Sequence, residues 1–229
     1  MPAPLPVLLP VLAGLIGAAA GVPLARSADR WVPAAVPALG GGAPVPEPRS
    51  VALRVPRPAP ELATGLLFAL AVLRFGVSEE LPAYLVLAAA GVWLAVVDLR
   101  TRLLPDRVVL PTLGAGAVLL GVAALAGHDP AALGRAVAGS ALLFAGYLVL
   151  ALIAPAGLGM GDVKLAAVLG LYLGWLGWPA LVDGALAGFV VQAVLALVLL
   201  AARRVQLRGA VPFGPAMLAG AALGIALLR

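Results

Sequence analysis

Residues 131–178 read AALGRAVAGSALLFAGYLVLALIAPAGLGMGDVKLAAVLGLYLGWLGW, two long apolar runs parted by a short polar interruption. An α-helix needs about 20 apolar residues to cross the hydrocarbon layer of a bilayer, and these runs approach or exceed that length. Reading them as membrane helices leaves Gly159-Met160-Gly161-Asp162-Val163-Lys164-Leu165 at the water boundary. There a carboxylate and the chain's one lysine stand between segments where every charge is costly.

Outward from this pair, hydropathy marks further runs at 3–22, 61–76, 82–98, 108–127 and 180–201, with a last one at 214–228. The expected fold is therefore all-α, a polytopic transmembrane bundle of about eight spans, at 131–154 and 163–178 as well as the runs just given. The second and third are short for helices that must cross the bilayer. Composition agrees: of 229 residues, 63% are hydrophobic and only 11% charged, too few charges to cover a soluble domain.

The first run is followed by Arg26 and Arg30 and has no basic residue before it, the reverse of a cleavable signal peptide. It is expected to stay as a helix with its N-terminus outside. Arg26, Arg30, Arg49, Arg54, Arg57, Arg100, Arg102, Arg107, Lys164, Arg203, Arg204 and Arg208 then fall on one side, twelve of the fifteen bases. The positive-inside rule makes that side cytoplasmic. The expected organisation is a first transmembrane helix at 1–22, a Pro/Gly-rich cytoplasmic linker at 23–60 and a transmembrane domain at 61–229.

The chain has no cysteine, which removes disulfides, thiolate catalysis and cysteine-bound zinc. His128, the one histidine, sits in the turn His128-Asp129-Pro130 and reads as solvated; no metal or cofactor is expected. The dispersed arginines do not form a basic domain, so nucleic acid is not expected as a partner. Small residues four apart, as in Gly170 with Gly174, Gly184 with Gly188 and Gly220 with Gly224, suit close helix packing.

Among the acids, Asp29, Glu47, Glu61, Glu79, Glu80 and Asp129 fall in or beside loops and read as solvated. Asp183 can reach the outer interface from the start of its span. Asp98, Asp106 and Asp162 border the cytoplasmic loops. For Asp98 and Asp106 the plain alternative is neutralisation by Arg100, Arg102 and Arg107, and for Asp162 a helix N-cap. Two carboxylates on separate helices at one membrane depth could instead hold a water and divide acid and base roles, sharing one proton because like charges resist double ionisation.

At these residues the sequence resembles the type IV prepilin peptidases, membrane aspartyl proteases with a GxGD motif. The resemblance rests on Asp98 followed by LRTRLLPD, on GMGDVKL, and on VPFGPAML at 211–218, from about residue 82 onward. It implies that Asp98 and Asp162 are the catalytic pair. Gly159, Gly161, Lys164 and Asp106 would support it, and Pro212, Phe213, Gly214 and Pro215 would pack nearby and position substrate. For that last group a simple loop-to-helix turn is the alternative.

The resemblance further implies cleavage of basic leader peptides from prepilins or pseudopilins at the cytoplasmic face of the inner membrane, beside the lipid bilayer. Larger members carry a cysteine-containing insert between the first two spans and N-methylate the product. The cysteine-free 23–60 segment makes methyltransferase activity an unexpected property here. A transporter or channel with intramembrane acids, or a GxGD peptidase with another client, are the competing readings.

Overall fold

The computed structural model describes residues 5–38, 56–154, 157–202 and 211–227. Among them are eight α-helices and no strand: α1 (Leu5–Ala38), α2 (Ala59–Phe75), α3 (Leu81–Thr101), α4 (Asp106–Gly127), α5 (Pro130–Ile153), α6 (Met160–Leu176), α7 (Trp178–Ala201) and α8 (Gly214–Leu227). Each corresponds to one expected span. Among the described residues, five segments are long and apolar enough to cross a membrane, namely Leu8–Trp31, α3, α4, α5 and α7. The chain is a multi-pass helical membrane protein. The third span, expected to be short, runs to 21 residues, which at 1.5 Å each reaches about 31 Å.

Helix α6 is the axis of the bundle. It is apolar all round, and from Val163 to Gly174 every residue but Lys164 is buried, as a helix enclosed by others must be. Glycine lets its neighbours come close: a Cβ on Gly174 would lie 2.6 Å from the Arg135 carbonyl of α5, and Gly170 meets the backbone of Gly139 and Ser140. On the opposite flank the Tyr84 hydroxyl of α3 donates to the Tyr172 carbonyl at 2.9 Å. Helices α7 and α8 meet through the expected small-residue pairs, Gly220 against Gly188 and Gly224 against Gly184.

This contact yields a stability test. In Gly220→Val the new side chain meets the Gly188 backbone, which cannot rotate away. Overpacking of this kind costs about 1–3 kcal/mol. Gly114→Ala in α4 enters open space and should leave the melting temperature in detergent unchanged, while Gly220→Val lowers it by several degrees. Equal melting of the two variants would mean that the α7–α8 seam is not packed as described.

The expected linker boundary moves. Residues 23–38 continue α1 instead of opening a Pro/Gly-rich loop. Contacts with α3 hold this extension: the Trp93 indole N–H donates to Ser27 Oγ at 2.9 Å, and the Trp31 and Trp93 rings meet edge to face at 6.0 Å. Asp29, expected to be solvated, forms ion pairs with both Arg57 and Arg100. The remainder of that linker, 39–55, and the basic residues Arg203, Arg204 and Arg208 lie outside the described residues.

An apolar groove of about 260 Å³ lies between α2, α3, α6 and α8, bordered by Leu70, Tyr84, Gly91, Ala95, Leu218 and Ala222. Its upper end reaches one helical turn below Asp98. The carboxylates themselves lie beyond it, at the ends of their helices.

Candidate active site

Three loops converge where α3 ends, α6 begins and α8 begins. Helix α3 stops because Arg102 adopts a left-handed conformation (φ 56°), its N–H returning to the Asp98 carbonyl at 2.8 Å. Pro105 is extended and launches α4 at Asp106. Asp98 thus sits in the last turn of α3, and although a carboxylate, it is only 4% exposed.

A buried carboxylate needs a partner, and Asp98 finds one 116 residues away. The Gly214 backbone N–H, at the start of α8, donates to its Oδ2 at 3.0 Å. Residue 214 must be small for this to happen, since a Cβ there would lie 2.8 Å from Asp98 Oδ2 and 3.5 Å from Leu104 Cδ1. Pro212 and Phe213 are buried beside it and Pro215 opens α8. The segment is therefore both a loop-to-helix turn and a direct neighbour of Asp98. Gln192 of α7 donates to the Val211 carbonyl at 3.4 Å and ties down its approach.

Asp162 occupies the first turn of α6. The N-cap is Gly159 rather than Asp162, which stands at the third helical position and accepts the Gly159 N–H on its Oδ2 at 3.1 Å. It also lies near enough to Asp98 for the two charges to act on each other. Gly161 lets the α3–α4 loop rest on this turn, for a Cβ at 161 would come within 2.8 Å of Leu104 Cβ.

Lys164 and Asp106 close the same corner with an ion pair, Nζ to Oδ2 at 2.6 Å. Asp106 is thus not neutralised by the neighbouring arginines. Arg100 is turned to Asp29, and Arg102 acts on Asp98 through its charge without a hydrogen bond. With side-chain exposures of 31% and 53%, the Lys164–Asp106 pair contributes less than about 1 kcal/mol. A double-mutant cycle with Lys164→Met and Asp106→Asn, read by thermal unfolding, should return a coupling below that figure. A coupling of several kcal/mol would contradict an exposed pair.

The other singled-out residues lie elsewhere. His128 is the left-handed cap of α4, and Asp129 accepts the Ala132 N–H at 2.9 Å to start α5. Asp183 is exposed on α7. No cluster of histidine or acidic residues among the described residues could hold a metal ion.

One neighbour carried no sequence signal. Tyr147 of α5 is 5% exposed, with its ring 5.5 Å from Phe189 and 6.1 Å from Phe213. It stands close enough to Asp162 to feel its charge. It reads as an ordinary aromatic in an apolar run, and only helix packing reveals its position.

The profile of the type IV leader peptidase family matches residues 85–202, a stretch that contains Asp98, Tyr147 and Asp162. A protein of Stutzerimonas stutzeri named prepilin leader peptidase/N-methyltransferase is 36% identical over 155 residues, 68% of this chain and 53% of its own length. Like-named proteins of Burkholderia pseudomallei and Pseudomonas aeruginosa are 37% and 34% identical, over 71% and 68% of this chain and 52% of each of theirs. The chain spans about half the length of the curated relatives it matches. No solved structure matches it. With the family profile covering more than half of the residues, and with both acid-bearing helix ends inside it, the chain belongs to the type IV leader peptidase family.

Proposed function

We propose that this chain is an aspartyl endopeptidase that removes the basic leader from prepilins or pseudopilins at the cytoplasmic face of the inner membrane. The observation that carries the reading is that Leu104 rests against Gly161, next to Asp162, and beside Gly214, whose N–H holds Asp98, so that the two acid-bearing helix ends share one corner. The names of the relatives supply the substrate class. The clustering of arginines and Lys164 supports a cytoplasmic face for this end of the bundle.

In the mechanism, the ionised aspartate takes a proton from a water whose oxygen bonds to the scissile carbonyl carbon. The protonated partner gives its proton to the carbonyl oxygen. The tetrahedral diol then collapses: the C–N bond breaks, the amine takes a proton from the aspartate that first received one, and the other aspartate regains its own from the diol. The Gly214 N–H holds Asp98 in place through this cycle. Lys164, engaged by Asp106, supports the corner from outside the pair.

Peptidase activity without N-methylation is the expected profile, because the segment between α1 and α2 has no cysteine. Co-expression with a prepilin from the same genome, followed by mass spectrometry of the pilin N-terminus, tests both points. The expected product lacks its leader and bears a free, unmethylated amine. Intact leaders on every prepilin tried would contradict the peptidase reading. A transporter is the rival class, and its acids would become reachable from both faces in turn.

A further inference from the structure

The packing of α5 against α6 fixes which residue of α5 stands level with Asp162. The Arg135 carbonyl lies against Gly174 and the Gly139 carbonyl against Gly170, so the helices run antiparallel with matched rise. Carrying that register on, from Gly139 to Tyr147 and from Gly170 to Asp162, moves about 12 Å along each axis and brings Tyr147 level with Asp162. The Tyr147 ring also packs near Phe213, whose neighbour Gly214 holds Asp98. Tyr147 therefore stands between the turn that carries one aspartate and the loop that anchors the other.

Its phenol makes no hydrogen bond to any described residue, although the residue is 5% exposed and its ring packs in a triangle with Phe189 and Phe213. Asp162 is near enough to act through its charge, yet its carboxylate takes its hydrogen bond from Gly159. The phenol O–H is thus a held, unspent donor beside the carboxylate pair. A donor held on a buried ring, with its oxygen still reachable, serves where a charge develops during reaction.

We infer that Tyr147 is a further catalytic residue, its phenol O–H donating a hydrogen bond to the scissile carbonyl oxygen of the bound peptide as that oxygen gains charge. The inference rests on the peptidase reading above. The hydroxyl gives up no proton; it polarises the carbonyl while the two aspartates carry the protons. The ring, with Phe189 and Phe213, forms the apolar wall that sets the height of the donor.

Tyr147→Phe keeps the ring and removes only the donor. The expected result is a kcat lower by roughly 10²-fold, the loss typical of one transition-state donor, with KM within about twofold. Binding of a hydroxyl-bearing, non-cleavable isostere of the prepilin junction should weaken in parallel. A Tyr147→Phe enzyme with unchanged kcat would overturn the inference, as would a lower kcat with unchanged isostere binding, which marks a merely structural role. Asp98→Asn and Asp162→Asn, assayed alongside, separate the two failures. If those variants still cleave, the peptidase mechanism itself is wrong; if they are dead and Tyr147→Phe is not, only the tyrosine's role is.

Discussion

Asp98→Asn and Asp162→Asn should each lower prepilin cleavage by about 10³-fold or more while leaving the melting temperature nearly unchanged. General acid and general base each contribute about 10²–10⁴-fold, and a shared proton makes the two roles depend on both carboxylates. Asparagine preserves size and an acceptor oxygen, so the Gly214 N–H still has a partner at residue 98 and the Gly159 N–H at residue 162. What disappears is the ability to exchange a proton. The double variant should be no slower than the worse single one, because residues acting as a unit are not additive. In the intact protein only the singly protonated pair works, so the rate should pass through a maximum with pH and fall on both sides. The measurement is initial rate on a purified prepilin in detergent or liposomes. Either single variant retaining more than a tenth of the wild-type rate would remove that carboxylate from the mechanism.

Gly214→Ala is the second large effect, and it involves no ionisable group. The added methyl would stand 2.8 Å from Asp98 Oδ2, closer than a Cβ approaches other atoms, and a tight 3.3 Å from its Cγ. Asp98 is buried and cannot swing into solvent, so either the carboxylate or the start of α8 has to move. Displacement of a catalytic group by about 1 Å costs roughly 10² in rate. The expected outcome is that loss in kcat, accompanied by a stability loss of about 1–3 kcal/mol. Kinetics and thermal unfolding of the same preparation separate the two effects. An alanine variant with normal kcat would mean that the Gly214–Asp98 contact does not set the geometry of the site.

The helical architecture was legible because apolar runs of this length leave little freedom, and each of the eight helices among the described residues falls on an expected apolar run. The error lay at the end of α1. Proline and small residues from 23 onward suggested a linker, but Ser27, Asp29 and Trp31 dock on α3 and its neighbours, and those contacts outweigh local composition. The reading of Asp29 failed with it, since its partners Arg57 and Arg100 are distant in sequence.

The candidate site shows the same division. Asp98, Asp162 and Gly214 stood out as polar or glycine-proline interruptions in apolar sequence. Their convergence depends on the left-handed turn at Arg102 and on the close seat of Leu104 against Gly161. Lys164 pairs with Asp106, a preference that charge spacing along the chain does not reveal. Tyr147 was invisible because its meaning lies entirely in the antiparallel register of α5 and α6, which Gly139, Gly170 and Gly174 set by close approach.

Whether Asp98 and Asp162 face one site can be measured directly, because the chain has no cysteine of its own. A variant carrying both Asp98→Cys and Asp162→Cys, treated with a short bifunctional thiol reagent, should be bridged and gain one linker mass. The control variant with Asp106→Cys and Lys164→Cys, which replaces a 2.6 Å contact, should be bridged as well. Bridging of the control, while the two thiols introduced at positions 98 and 162 each take up a separate reagent molecule, would show that the two aspartates do not meet, and would contradict the paired mechanism.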